Sequence, residues 1–110
     1  LVGSEMCIET AAVLSGEPSG PHKLQGIGAG FIPDTLDTKI IDEIIKIGAQ
    51  EAYEAGKALP KEEGFLVGIS AGAALAAATQ LAKLPENKGK NIVVLLPDSG
   101  DRYLSSEMFA

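Results

Sequence analysis

A serine between two glycines is the first candidate for chemistry in this chain. Residues 68–72 read Gly-Ile-Ser-Ala-Gly and directly follow a short apolar run. A G-x-S-x-G string can present a nucleophilic serine, but that serine needs a histidine as its base. The chain has one histidine, His22, in a segment dense in glycine and proline. A catalytic serine is therefore not expected, and Ser70 either caps the following helix or hydrogen-bonds a ligand atom.

A glycine-rich segment is the second candidate. Gly26, Gly28 and Gly30 occupy every second position, a spacing that differs from the G-x-G-x-x-G fingerprint of dinucleotide-binding folds. A loop with so few β-carbons can let a ligand approach the backbone closely. The same glycines can instead serve the torsion angles of a turn, and the spacing leaves both interpretations open.

Acidic residues near the end of the chain form the third candidate. Asp98, Asp101 and Glu107 follow the last apolar run. Carboxylates can hold a metal ion, but acidic residues after a strand are typically solvated turn residues, and no Cys and His cluster has zinc-ligand spacing. No metal site is expected.

Three short apolar runs predict the strands that would position these residues. Residues 43–47 contain three isoleucines, residues 65–69 are apolar up to the serine, and residues 92–96 read Ile-Val-Val-Leu-Leu. β-Branched residues favour strands. The continuous run at 92–96 predicts a strand that is buried on both faces.

Helical segments alternate with these strands. Residues 49–59 are rich in Ala, Glu and Lys and predict a helix that Pro60 either ends or restarts, and residues 73–84 predict an alanine-rich helix. The alternation predicts an α/β fold with βαβ units and a parallel sheet. Ligands of such sheets bind beyond the carboxyl ends of the strands, here at residues 68–72 and 97–101.

Composition narrows the class of protein. A chain of 110 residues with 45% hydrophobic and 22% charged residues is typical of one globular unit and not of a disordered chain. The net charge is -6 with scattered Lys and Arg, so nucleic acid is not an expected partner. The single cysteine favours a reducing, cytoplasmic location, and without a run of about 18 apolar residues no membrane span is expected.

Three longer segments carry a family resemblance. Residues 20–33 read GPHKLQGIGAGFIP, residues 63–74 read EGFLVGISAGAA, and residues 96–105 read LPDSGDRYLS. In this order and at this spacing they resemble the cysteine synthases, or O-acetylserine sulfhydrylases, which are fold type II enzymes that use pyridoxal phosphate (PLP). The resemblance extends from about residue 12 to residue 103.

The resemblance implies a PLP-dependent β-replacement in which acetate leaves O-acetylserine and sulfide takes its place, giving cysteine. Ser70 matches the family serine that hydrogen-bonds the pyridine nitrogen of PLP. Gly26 and Gly28 match the loop on the substrate side of the cofactor, while Pro97 and Asp98 match the strand end beside the pyridine ring. A neutral hydroxyl does not hold that nitrogen protonated, so the ring is a weaker electron sink and elimination is favoured.

The resemblance also implies what lies outside this chain. The family's Schiff-base lysine, its substrate-carboxylate loop and its phosphate-binding loop precede the matched region, so no residue here is expected to be catalytic. The chain begins at Leu1 without a methionine, as a fragment would. We expect residues 1–110 to form one unit, a parallel-sheet layer with flanking helices from the carboxy-terminal part of the larger PLP-binding domain, inactive by itself.

Partners and alternatives follow from the same resemblance. It implies a cytoplasmic homodimer and, as a further partner, the carboxy-terminal tail of serine acetyltransferase. A cystathionine β-synthase-like enzyme is an alternative, although residues 26–33 favour a cysteine synthase. A non-enzymatic remnant that keeps only the surface for the acetyltransferase tail is the second alternative.

Overall fold

Two packed α-helices form the centre of the computed structural model, which describes residues 2–3, 34–35, 37–40, 42–106 and 108–109. Helix α1 spans Ala49–Glu63 and helix α2 spans Ile69–Ala82. The described 3-10 turns are Thr38–Ile40, Pro85–Asn87 and Gly100–Tyr103. Neither of the two described α-helices has the length and apolar character that crossing a membrane requires.

Helix α1 is longer than the sequence predicted. The Glu51 carboxylate accepts the backbone N–H of Gly48 at 2.8 Å and so stabilises the first turn. The expectation that Pro60 ends or restarts the helix was wrong, because the helix continues to Glu63. A proline removes one backbone donor, but its carbonyl still accepts the N–H of Gly64 at 3.1 Å, and Gly64 ends the helix in the left-handed conformation with φ 77°.

Helix α2 begins four residues earlier than predicted. The residue that precedes its first turn is Gly68, so Ser70 is the second helical residue and its interpretation as the capping residue was wrong. Beyond the carboxyl end of the helix, the buried Asn87 side chain donates a hydrogen bond to the carbonyl of Leu81 at 2.8 Å. This bond satisfies one of the carbonyls that a helix end leaves without a helical partner.

Replacing Asn87 by alanine is expected to lower the free energy of unfolding by about 1 kcal/mol, because the Leu81 carbonyl loses its side-chain donor and keeps only the N–H of Leu84 at 3.2 Å. Urea denaturation followed by circular dichroism measures the change. The exposed Asn91 provides the matched control, and its replacement by alanine is expected to change little. Equal losses for the two variants would contradict a role for this hydrogen bond.

The two helices touch through their backbones. A β-carbon placed on Gly72 would overlap the carbonyl oxygen of Ala52 and would lie 3.2 Å from the Cα atom of Gly56. Small residues are what such close helix contact requires, since any larger side chain would separate the backbones. Around this contact lies a small core of buried apolar side chains: Ile47, Ala52, Ile69, Ala73 and Met108.

The described sheet is small. Strand β1 at Val2–Gly3 pairs in parallel with strand β2 at Val93–Val94. The predicted strand at 92–96 is thus reduced to two residues, and its predicted burial was wrong, since Val93 and Leu95 are 61% and 63% exposed. An apolar sequence favours burial, but no described residue covers the face of the strand that carries Val93 and Leu95.

The other two strand predictions were wrong. Residues 43–47 form no strand, although Ile47 is buried in the core. Of residues 65–69, Val67 makes an isolated antiparallel bridge to Ser99, and Ile69 already belongs to α2. β-Branched residues favour extended backbone, but a strand also needs a neighbour, and the described residues provide none for 43–47.

Candidate functional site

Two loop segments meet at the amino-terminal end of α2. The N–H of Gly68 donates to the carbonyl of Asp98 at 3.2 Å, and the N–H of Gly100 donates to the carbonyl of Leu66 at 3.2 Å. We call residues 66–71 together with residues 98–100 the junction. It brings together the two segments that the sequence predicted as ligand-binding, 68–72 and 97–101.

Asp98 completes the first turn of α2. The first N–H groups of a helix have no helical acceptor, and Gly68 has no side chain that could provide one. The Asp98 Oδ1 atom accepts the N–H of Ala71 at 3.3 Å. A carboxylate at this end of a helix also interacts favourably with the helix dipole. Asp98, which is distant in sequence, therefore provides the side-chain acceptor that Gly68 lacks at this helix end.

Gly68 leaves the space that this carboxylate occupies. A β-carbon on Gly68 would overlap the Asp98 side chain, with Oδ2 as its nearest neighbour. Sequence reasoning did not find this arrangement. The signal for it is weak, since a glycine before a helix and an acidic residue after a later strand show no pattern that joins them.

Ser70 is the buried polar side chain of the junction. It is 7% exposed, and none of the described residues shares a hydrogen bond with its hydroxyl. Buried polar groups are nearly always hydrogen-bonded, so this hydroxyl is suited to a ligand. A hydroxyl can donate to a pyridine nitrogen, which accepts one hydrogen bond, so Ser70 has the chemistry that the sequence resemblance expects at the pyridine nitrogen of PLP.

The remaining predicted residues are placed as follows. Pro97 is exposed and directly precedes Asp98, which is half-buried. Gly26 and Gly28, as well as His22 and Glu107, lie outside the described residues.

The acidic residues after β2 differ from one another in their surroundings. Asp101 is an exposed turn residue, and a hydrogen bond from the Ser99 side chain lowers the pKa of its carboxyl group below the ordinary value. Asp98 instead points into the junction, so the description of both as solvated turn residues holds for Asp101 alone. In the part of the chain that the structure describes, no group of His, Cys, Asp and Glu side chains could hold a metal ion.

A groove between α1 and α2 lies apart from the junction. Its lining includes four carboxylates and the single cation Lys83, and the residues of α2 that line it begin at Leu75, after the first turn of that helix. Of the predicted site residues that the structure describes, Ser70, Pro97 and Asp98, none lines it.

Comparison with known proteins places the chain in a family. The model of the pyridoxal-phosphate dependent enzyme family matches residues 3–98, and the chain belongs to this family. Cysteine synthase of Staphylococcus aureus is 55% identical over 102 residues, which cover 93% of this chain and 33% of that protein. The chain therefore spans about a third of the length of the curated relatives it matches.

Solved structures agree with the sequence relatives. Cysteine synthase of Entamoeba histolytica superposes with a TM-score of 0.90 at 44% identity, covering 99% of this chain and 32% of that one. The O-acetylserine dependent cystathionine β-synthase of Helicobacter pylori superposes with a TM-score of 0.72 at 38% identity, covering 99% and 34%. The resemblance to cysteine synthases and the α/β fold of type II PLP enzymes are thus confirmed.

Proposed function

We propose that this chain supplies the pyridine-nitrogen side of the PLP site in a cysteine synthase, which converts O-acetylserine and sulfide to cysteine and acetate. The observation that carries the proposal is the Ser70 hydroxyl, which is buried at the start of α2 and has no partner among the described residues. The 55% identity to a cysteine synthase supports the choice of reaction. When bound, PLP supplies the electron sink for such a β-replacement.

In this proposal the residues of the chain bind and orient the cofactor ring. The Ser70 hydroxyl donates to the pyridine nitrogen and, being neutral, leaves that nitrogen without an added proton. Pro97 and Asp98 lie beside the ring, and Gly26 and Gly28 line the substrate side. No residue of this chain is proposed to remove the substrate α-proton, so the chain is inactive by itself.

A chimeric enzyme tests the proposal. This chain is fused behind the amino-terminal part of the Staphylococcus aureus cysteine synthase that it does not cover, and PLP binding is followed by visible absorption. Replacing Ser70 by alanine is expected to raise the Kd for PLP about tenfold, the equivalent of one lost hydrogen bond. The exposed Ser105 gives the matched control, and its replacement by alanine should leave the Kd unchanged. A chimera that binds PLP equally well without the Ser70 hydroxyl would refute the proposed site.

The thiol substrate separates the two enzymatic alternatives. A cysteine synthase forms cysteine from O-acetylserine and sulfide, whereas a cystathionine β-synthase-like enzyme takes homocysteine. Offering both thiols to the chimera and identifying the products by mass spectrometry decides between them. Product formation with homocysteine alone would overturn the cysteine synthase proposal.

We also propose the domain, the oligomeric state and the partner of the complete enzyme. Residues 1–110 form one carboxy-terminal unit of the larger PLP-binding domain, and the parallel pairing of β1 with β2 supports its place in a parallel-sheet layer. The complete enzyme is a cytoplasmic homodimer whose glycine-rich loop region receives the serine acetyltransferase tail. Calorimetric titration of a tail peptide into the chimera tests that partner, and peptide binding without PLP binding would favour the non-enzymatic remnant.

A further inference from the structure

We infer that Asp98 is a positioning residue: its hydrogen bonds to the backbone on both sides of Ser70 fix the serine hydroxyl where the cofactor ring needs it. The inference rests on the proposed function of Ser70. To the proposed place of Asp98 beside the ring it adds a role of the Asp98 carboxylate that acts through α2.

Asp98 accepts two backbone hydrogen bonds, one from a residue before Ser70 and one from a residue after it. Two residues before the serine, the N–H of Gly68 donates to the Asp98 carbonyl at 3.2 Å. One residue after it, the N–H of Ala71 donates to Asp98 Oδ1 at 3.3 Å. The serine therefore sits in a stretch of backbone whose two ends are held by the same distant residue.

Both oxygens of the Asp98 carboxylate contact the start of α2. Its Oδ1 atom accepts the Ala71 N–H, and its Oδ2 atom occupies the space beside Gly68 where another residue would have a β-carbon. Both oxygens thus lie against the backbone of the junction. This arrangement favours support of the helix end over a direct bond to a ligand.

Ser70 depends on that support. The backbone of the first turn carries this side chain, so a shift of that turn moves the hydroxyl with it. Helix ends fray, and Gly68 offers no side chain to prevent it. A shift of about 1 Å in a binding or catalytic group can cost two orders of magnitude in function.

A double-mutant cycle in the chimeric holoenzyme tests the inference. Asp98→Ala is expected to raise the Kd for PLP about tenfold when Ser70 is present and less than about twofold in the Ser70→Ala background, because coupled residues are non-additive. Asp98→Asn keeps an acceptor oxygen and is expected to restore most of the affinity. The same fold-change in both backgrounds would overturn the inference, since Asp98 would then act without Ser70. No effect of Ser70→Ala would instead refute the proposed function.

Amide hydrogen exchange on the 110-residue chain gives a second readout that needs no cofactor. The Ala71 amide is expected to exchange at least about tenfold more slowly than the Ser70 amide, although both lie in the first turn, where helical acceptors are missing. Asp98→Ala should remove this difference and leave the Gln80 amide unchanged. Equal exchange of Ala71 and Ser70 in the unsubstituted chain would overturn the inference without any variant.

Discussion

Replacing Gly72 by leucine is expected to lower the free energy of unfolding by about 3 kcal/mol or more, enough to unfold much of a marginally stable chain. Any side chain at this position meets the carbonyl oxygen of Ala52, a backbone atom that cannot turn away. The two helices then have to separate, and the core that they share opens. Urea denaturation followed by circular dichroism measures the loss.

The matched control places leucine elsewhere in the same helix. Ala82 is exposed at the last position of α2, so Ala82→Leu adds the same side chain without entering the helix contact. It is expected to change stability by less than about 0.5 kcal/mol. If Gly72→Leu were as stable as Ala82→Leu, the close approach of the helices would not be a feature of the folded chain.

Replacing Met108 by alanine is the second change with a large expected effect, a loss of about 2 to 5 kcal/mol. Met108 is fully buried and lies directly against Gly56, where a β-carbon would overlap its terminal methyl group. Truncation leaves a cavity that the glycine cannot fill. Thermal or urea unfolding of the purified variant measures the effect.

Two further variants show whether burial is the cause. Leu104 is 60% exposed in the same terminal segment, and its replacement by alanine should cost far less than the loss at Met108. Met108→Leu keeps most of the buried volume and is expected to cost less than about 1.5 kcal/mol. A loss at Leu104 as large as that at Met108 would contradict the core assignment.

Local sequence patterns predicted the helices better than the strands. Alanine, glutamate and lysine favour helix through short-range effects, so α1 and α2 appear near their predicted positions. A strand depends on a partner from elsewhere in the chain. The predictions for 43–47 and 65–69 failed for this reason, and the strand predicted at 92–96 is confirmed only for two exposed or partly exposed residues, Val93 and Val94. Apolar residues tend to be buried, but their pattern does not show which element will cover them.

The candidate site was partly accessible from sequence. Ser70 stood out because it lies between two glycines after an apolar run, and the structure places it, buried, beside the loop that was predicted to join it. Its bond to PLP, and the places of Gly26, Gly28, Pro97 and Asp98 around the cofactor, stay predictions. The contacts of Asp98 with Gly68 and Ala71 could not be predicted, because they join residues that no local pattern relates. Met108 was missed as well, since one methionine near the chain end gives no periodic signal.

Because Asp98 lies far from α2 in the sequence, the parts of this helix form in a fixed order. Ala71 and Asp98 are 27 residues apart, so α2 can begin to coil on a growing polypeptide long before its first turn is complete. Until Asp98 has been synthesised and has folded back, the stretch around Ser70 lacks the acceptors that hold it. The first turn of this helix is therefore completed after its later turns, and a substitution that slows the closure of residues 98–100 is expected to delay the ordering of Ser70 more than the formation of the helix.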